Sequence, residues 1–253
     1  MGMYAMTGGA TGIGAAIKES LKANGHHVVV VDIKDADIEA DLSKPVGRLL
    51  AISGIVERCG EGLDGFIACA GVGGHVPNKA LISSVNYFGT TELVDGILGL
   101  LSLRKGAALL VSSNSAPMPT DSAYVDLLLE GDESKASAHA ESMEGQQVYS
   151  GSKQGVARWM RRNISRISKL GVRINAIAPG YTQTPMTQAV EESEQYGAAI
   201  RDFMASIPVG RPGKPADMAA AAMFLLSDEA GFINGSVLFS DGGHDAMLRP
   251  DEF

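Results

Sequence analysis

Six short apolar runs punctuate the chain, at 4–6, 28–31, 66–70, 107–111, 172–178 and 237–239. They lack the polar alternation of half-exposed strands and are bounded by Gly, Asp or Ser, as strands covered on both faces are. Between them, residues 12–24, 44–59, 81–103, 147–170 and 216–226 repeat apolar positions at three- and four-residue spacing. That period predicts amphipathic helices. Strict alternation of strand and helix predicts an α/β fold, a doubly wound (Rossmann) parallel sheet with helices on both faces. No repeat, low-complexity tract or linker divides the pattern, so residues 1–253 read as one domain.

Two stretches break the rhythm. Residues 116–146 begin with Pro117 and Pro119 and continue through acidic, Ala- and Ser-rich sequence of helical character. They read as an insertion, either a functional loop or an excursion to the surface or a subunit contact. Residues 184–208 contain Met186, Val190, Tyr196, Ile200, Phe203 and Met204. Long segments after strand ends commonly cover ligands, so this one is expected to be a substrate lid, with ordinary helix packing as the plain alternative.

The composition narrows the partners. With 253 residues and 45% apolar content the chain can bury a large core. The net charge of −8, with no basic run to offset it, argues against nucleic acid or anionic membrane as the main partner. No apolar stretch approaches the roughly 18 residues of a bilayer span. The first strand starts near Met3, leaving no room for a signal peptide. Cys59 and Cys69 lack CxxC spacing and a nearby His cluster, which suits two reduced thiols. The expected compartment is cytoplasmic.

Candidate chemistry begins at Thr7-Gly-Gly-Ala-Thr-Gly-Ile-Gly14, a glycine-rich turn between a strand and a helix. Gly8, Gly12 and Gly14 leave room for backbone to approach phosphate, and helix N-terminal N–H groups attract the anion. Read alone it is a tight turn; in this context it predicts dinucleotide binding. Asp32 closes the second strand eighteen residues beyond Gly14. Its carboxylate can accept from ribose hydroxyls and would repel a 2′-phosphate, which favours NAD over NADP even with Lys34 nearby. Asp41 and Leu42 follow a brief strand where they can meet adenine. Ala70 and Gly71 leave the next strand where a larger side chain would crowd the ribose.

Tyr149 and Lys153 are four residues apart on a predicted helix and so share a face. A free phenol ionises near pH 10. An adjacent ammonium, aided by the positive ring of an oxidised nicotinamide, is expected to favour the phenolate. Ser113 ends a strand on the edge where such sheets bind ligands, and its hydroxyl can hold a substrate oxygen. Asn86 lies within a predicted helix, where a buried amide requires a partner or a water.

Together these residues resemble the classical short-chain dehydrogenase/reductase family over essentially the whole chain. The likeness rests on Thr7–Gly14, Ala70-Gly71, Asn86, Ser113, Tyr149 with Lys153, Pro179-Gly180-Tyr-Thr-Gln-Thr184 and Asp241-Gly-Gly243. It implies a single dinucleotide-binding oxidoreductase domain with Tyr149 as acid/base. Lys153 would modulate the phenol and bind the nicotinamide ribose, Ser113 would stabilise the substrate oxygen, and Asn86 would hold a relay water. Thr182 and Thr184 would neighbour the carboxamide, and Thr11, Ile13, Ile33, Pro179 and Gly180 would complete the cofactor contacts. The chain departs from the family at Ala68-Cys69, where two asparagines are common, and at Ser240, where an apolar residue is usual.

A narrower likeness, to the bacterial 3α-hydroxysteroid dehydrogenase/carbonyl reductase subgroup, lies in residues 31–43, 84–95 and 241–250 and in the 36-position spacer from Ser113 to Tyr149. It implies a homo-oligomer, a dimer before a tetramer. The expected activity is NAD(H)-dependent interconversion of a secondary alcohol and a ketone on a small apolar cyclic substrate, without a metal. Ser113, Tyr149, Tyr181 and Met186 are the expected substrate contacts, and Tyr196 is a further candidate. A cyclic monoterpene alcohol of the isopiperitenol type is an alternative substrate. A non-catalytic NAD-binding sensor, or an isomerase or dehydratase on the same fold, is an alternative role.

Overall fold

The computed structural model describes residues 1–191 and 197–252. Its strands are β1 Met3–Thr7, β2 His27–Asp32, β3 Ile38–Glu39, β4 Gly65–Ala68, β5 Ala107–Val111, β6 Arg173–Pro179 and β7 Val237–Ser240. They form one sheet in the order β3-β2-β1-β4-β5-β6-β7, and every neighbouring pair is parallel. The chain leaves β1 towards β2 and β3, then returns across it to β4. The crevice of such a sheet therefore opens between β1 and β4, at the strands' carboxyl ends.

The helices are α1 Gly12–Ala23, α2 Pro45–Arg58, α3 Lys79–Ser83, α4 Gly89–Arg104, α5 Ser122–Glu130, α6 Glu133–Ala140, α7 Gly145–Ser168, α8 Pro185–Glu191, α9 Gly197–Ser206, α10 Pro215–Leu226 and α11 His244–Leu248. Successive strand residues point to opposite faces, so the continuous apolar runs feed two cores. Tyr4, Met6, Val28, Val30 and Leu109 pack with Ile17 and Leu21 of α1 and Met218 and Ala222 of α10. Ala5, Val31, Phe66, Ala108 and Leu110 meet Ile55 of α2, Leu93 and Ile97 of α4, and Val156 and Met160 of α7. The expected doubly wound sheet is present. Among the described residues no helix is long and apolar enough to cross a membrane.

Two boundaries differ from expectation. β4 stops at Ala68, because the amides of Cys69 and Ala70 donate to the Thr7 hydroxyl instead of continuing the ladder. The expected helix over 81–103 is divided into α3 and α4 by one π turn, Ser84–Phe88, centred on Asn86. Such bulges often mark functional positions.

The insertion is part of the core, not a free surface excursion. Asp121 caps α5 by accepting from Ala123 and Tyr124, Gly131 ends it at φ +79°, and Asp132 caps α6. Tyr124, Val125, Leu128, Ala136 and Ala140 are fully buried in the larger core. The Tyr124 hydroxyl lies 2.7 Å from that of Ser83, which is also fully buried. Tyr124→Phe should therefore destabilise the fold by about 1–3 kcal/mol, because a buried hydroxyl loses its partner. Urea unfolding monitored by circular dichroism checks this, and an unchanged midpoint would mean Ser83 finds another acceptor.

Candidate active site

The carboxyl ends of β1, β2, β4, β5 and β6 line one continuous cavity of about 1070 Å³. Every residue expected to contact cofactor or substrate lines it: Gly8, Thr11, Gly12, Ile13, Gly14, Asp32, Ile33, Asp41, Leu42, Ala70, Gly71, Ser113, Tyr149, Lys153, Pro179, Gly180, Tyr181, Thr182, Thr184 and Met186. Asn86 does not, and neither Tyr196 nor the side chains of Val190 and Ile200 fall within the described residues.

At one end of the cavity the turn after β1 folds against the start of α1. A Cβ on Gly14 would sit 1.8 Å from the Gly8 carbonyl oxygen, so only glycine permits this approach. A Cβ on Gly12, where φ is +56°, would press within 3.2 Å of Thr184 across the cleft. Thr11 makes no side-chain cap, and the first turn of α1 carries no acidic residue. The helix thus presents uncapped N–H groups to an anion, which the aligned peptide dipoles favour. Asp32 reinforces the same corner, accepting from Ala10 N at 3.1 Å and from Ile33 N at 2.8 Å.

Asp41 and Leu42 follow β3 as expected. The Asp41 carboxyl is held below the usual carboxylate range by hydrogen bonds from Ser43 and Lys44. Leu42 is buried, and its backbone oxygen accepts from the buried Arg48 at 3.2 Å. The uncapped helix start, the carboxylate at the end of β2 and the glycine cradle together match the phosphates and ribose of a dinucleotide. Sequence reasoning located each of these residues.

At the other end lie the groups that can move a proton. Lys153 and Tyr149 share a face of α7, with the Lys153 ammonium 5.9 Å from the centre of the phenol ring. That ammonium donates to the Val111 carbonyl at 2.9 Å, and Ser112 Oγ donates to the Lys153 carbonyl at 3.0 Å, so both ends of the residue are fixed to the end of β5. Lys153 is only 4% exposed, and burial lowers it to about 8. Burial also pushes the Tyr149 phenol up, while the hydrogen bond with Ser113 pulls it down. In the cofactor-free chain desolvation outweighs the Ser113 hydrogen bond, whereas the expected pull towards phenolate joins Lys153 with the charge of an oxidised nicotinamide.

Ser113 also accepts from Ser115, from its N–H at 3.1 Å and its hydroxyl at 3.0 Å, so the Ser113 hydroxyl is oriented from both sides. Asn86 is fully buried beneath the cavity. Its amide donates to the Val72 carbonyl at 3.0 Å and to Ser152 Oγ at 3.2 Å, and its oxygen accepts from Val72 N at 2.8 Å. The side chain therefore braces the turn after β4. A Cβ on Gly71 would lie 3.2 Å from the Asn86 oxygen and 3.4 Å from the Lys153 ammonium. Cys69, one of the positions where the chain departs from its relatives, lines the cavity floor with its thiol raised by burial to about 11.

Phe203, one of the apolar residues of the expected lid, lines the cavity, whereas Gly73, His75, Met118, Gln146 and His244 line it without having been singled out in the sequence. Gly73, His75 and Met118 come from loops whose course only packing decides, while Gln146 stands at the start of α7 and His244 at the start of α11. His244 follows Asp241-Gly-Gly, and its ring stacks edge-on against Phe203 at 4.5 Å, so the tail helps form the wall. Phe203 in turn meets Tyr181 at 6.2 Å. These contacts place α9 of the expected lid beside the cavity. Thr187 Oγ1 bonds the Thr182 and Thr184 carbonyls at 2.7 and 3.0 Å, anchoring the start of α8.

Known proteins resemble this chain in sequence and fold. A family model described as enoyl-(acyl carrier protein) reductase matches residues 134–245. The chain is 41% identical to a 3-alpha-hydroxysteroid dehydrogenase/carbonyl reductase of Comamonas testosteroni over the full length of both. It is 31% identical to a 2,5-dichloro-2,5-cyclohexadiene-1,4-diol dehydrogenase of Sphingobium indicum, with 96% of each chain covered. The crystal structure of a 3-alpha-hydroxysteroid dehydrogenase from Pseudomonas sp. B-0831 complexed with NADH superposes with a TM-score of 0.95, at 44% identity over 99% of this chain and 100% of that one.

The lowered ammonium has a consequence for stability. Between about 8 and the unfolded value of 10.5, the unfolded chain binds the proton that native Lys153 has lost. Its contribution to unfolding free energy therefore rises with pH across that window, and is constant below it. In the absence of cofactor, the stability of the wild type relative to Lys153→Met should increase from pH 8 to pH 9.5 (about 1.5 units inside the window). Urea midpoints at matched ionic strength measure it; a difference that stays flat would show that the buried amine keeps its proton.

Proposed function

The chain belongs to the short-chain dehydrogenase/reductase family and is an NAD-dependent alcohol dehydrogenase/ketone reductase, and on that premise we propose that it acts on a secondary alcohol or ketone carried by an apolar ring. The observation that carries this reading is that Tyr149, hydrogen-bonded to Ser113, lines the same cavity as the apolar side chains of Tyr181, Met186, Met118 and Phe203. The full-length relatives named for a hydroxysteroid and for a cyclohexadienediol point the same way.

In the proposed oxidation Ser113 holds the substrate oxygen and the Tyr149 phenolate removes the hydroxyl proton. Lys153 keeps that proton mobile and positions the ribose. Bound NAD supplies the acceptor for the hydride that leaves the carbinol carbon. In the reverse direction the protonated phenol, which burial favours, donates to the ketone oxygen as it gains charge. Relay of the proton to solvent is assigned to Lys153, with Asn86 as the holder of a water beyond it.

The remaining residues fit supporting roles. Thr182, Thr184, Pro179 and Gly180 would border the carboxamide, and the segment 184–208 would close over the substrate, with Phe203 as its inner surface. We assign the chain a homo-oligomeric state, a dimer first, because the spacer that lengthens residues 116–146 covers α7 and α3 with its own helices. A cytoplasmic place suits the two free thiols of Cys59 and Cys69.

Tyr149→Phe should lower kcat by at least about a thousandfold while NADH affinity stays within a few-fold, since general acid–base groups contribute on the order of 10²–10⁴. An active Tyr149→Phe enzyme would exclude the assignment. NAD reduction measured with a 3α-hydroxysteroid, isopiperitenol and simple cyclic alcohols at matched concentration decides the ring system, and turnover of open-chain alcohols alone would overturn the apolar-ring reading. Asp32→Ser should narrow the preference for NAD over NADP in kcat/KM by at least tenfold, because the carboxylate no longer meets a 2′-phosphate as a like charge.

A further inference from the structure

Arg48 of α2 is the largest fully buried side chain, 1% exposed. Its guanidinium meets three elements at once. Nε donates to Glu92 of α4 at 2.7 Å, Nη1 donates to Glu133 of α6 at 3.1 Å and to the Leu42 carbonyl at 3.2 Å, and Nη2 donates to the second oxygen of Glu133. The Glu133 contact is bidentate, the strongest geometry available to this pair. Leu42 and Asp41 line the cavity, and α2 starts so close to them that a Cβ on Gly47 would fall 2.0 Å from the Asp41 carbonyl oxygen. A buried cation cannot be left half-paired without cost. The position of the Asp41-Leu42 segment is therefore tied to a carboxylate that only the insertion supplies.

We propose that Glu133, acting through Arg48, is a positioning residue that sets the affinity of the cavity's adenosine end, so that the inserted segment tunes cofactor binding. This inference rests on the dinucleotide reading above and adds a role that neither the glycine turn nor Asp32 fills. Glu92 alone cannot replace Glu133, because it is 43% exposed and reaches only Nε, whereas Glu133 engages the end of the guanidinium that also holds Leu42. The Arg48 guanidinium also lies over the Phe88 ring, 6.0 Å from its centre.

Glu133→Gln keeps the shape of the side chain and removes its charge. Calorimetric titration with ADP-ribose, which carries the adenosine end and no nicotinamide, should show affinity reduced at least about fivefold relative to wild type. In the steady state KM for NAD should rise by a similar factor, while kcat and KM for the alcohol change less than twofold. Glu133→Asp should recover part of the affinity, and Lys135→Gln, on the same helix with an exposed partner, should behave as wild type. An effect confined to thermal stability, or equal losses in both KM values and kcat, would overturn the inference and leave Glu133 a merely structural residue. Failure of the wild type itself to bind ADP-ribose would instead overturn the dinucleotide reading.

Discussion

A primary ammonium is held in a dry place, and the site is arranged around that fact. Lys153 is nearly inaccessible, and its charge is met only by the Val111 carbonyl and by the fields of the neighbouring side chains. Burial strengthens every electrostatic interaction in the vicinity, yet it opposes charge on both members of the pair. The amine gives up its proton more readily than usual, and the phenol of Tyr149 holds its own more firmly. As a reductant's proton donor, such a phenol needs no help. As a base for alcohol oxidation it needs added positive charge, which an oxidised nicotinamide bound beside it would supply. Cofactor charge and acid–base function are thereby coupled.

Parallel strands make this placement possible. With β1, β2, β4, β5 and β6 all running the same way, their last residues meet on one edge of the sheet. The Thr7 hydroxyl stops β4 by capturing two amides, and this opens the turn over which a ribose can lie. Ser113 and Lys153 are both referred to the end of β5, one through the chain and the other through the Val111 carbonyl. Asn86 locks the turn between them from below. The nucleotide end is anchored separately, on α1, on Asp32 and on the buried Arg48 cluster. The chemistry and the binding are thus held by different elements of one rigid frame.

Most of this was legible in the sequence because the governing signals are local. Fully apolar strands, helix periodicity, the spacing of Gly8, Gly12 and Gly14, and the four-residue step from Tyr149 to Lys153 each state their geometry within a few residues. The π turn at Asn86 was not legible, since its extra residue is imposed by the satisfied amide and by packing under α7. The course of the insertion was hidden for the same reason. Its composition looks like surface, yet Tyr124 and Ala136 are core, and the arginine that binds it is 85 positions away in the chain. The desolvation that raises the phenol in the cofactor-free chain was not legible, because a neighbouring charge is visible in a sequence and burial is not. His75 reached the wall through a loop, and Gln146 and His244 through helix starts whose placement no periodicity indicates.

The central claim is that Tyr149 becomes a base only when the cofactor's charge joins that of Lys153. Ultraviolet difference titration of the phenolate, with Tyr149→Phe subtracted to assign the signal, measures it in the free protein and with NAD or NADH bound. The account requires the Tyr149 phenol to ionise at distinctly lower pH with NAD than in the free protein or with NADH, and requires this lowering to shrink in Lys153→Met. An identical titration in all three states would contradict it.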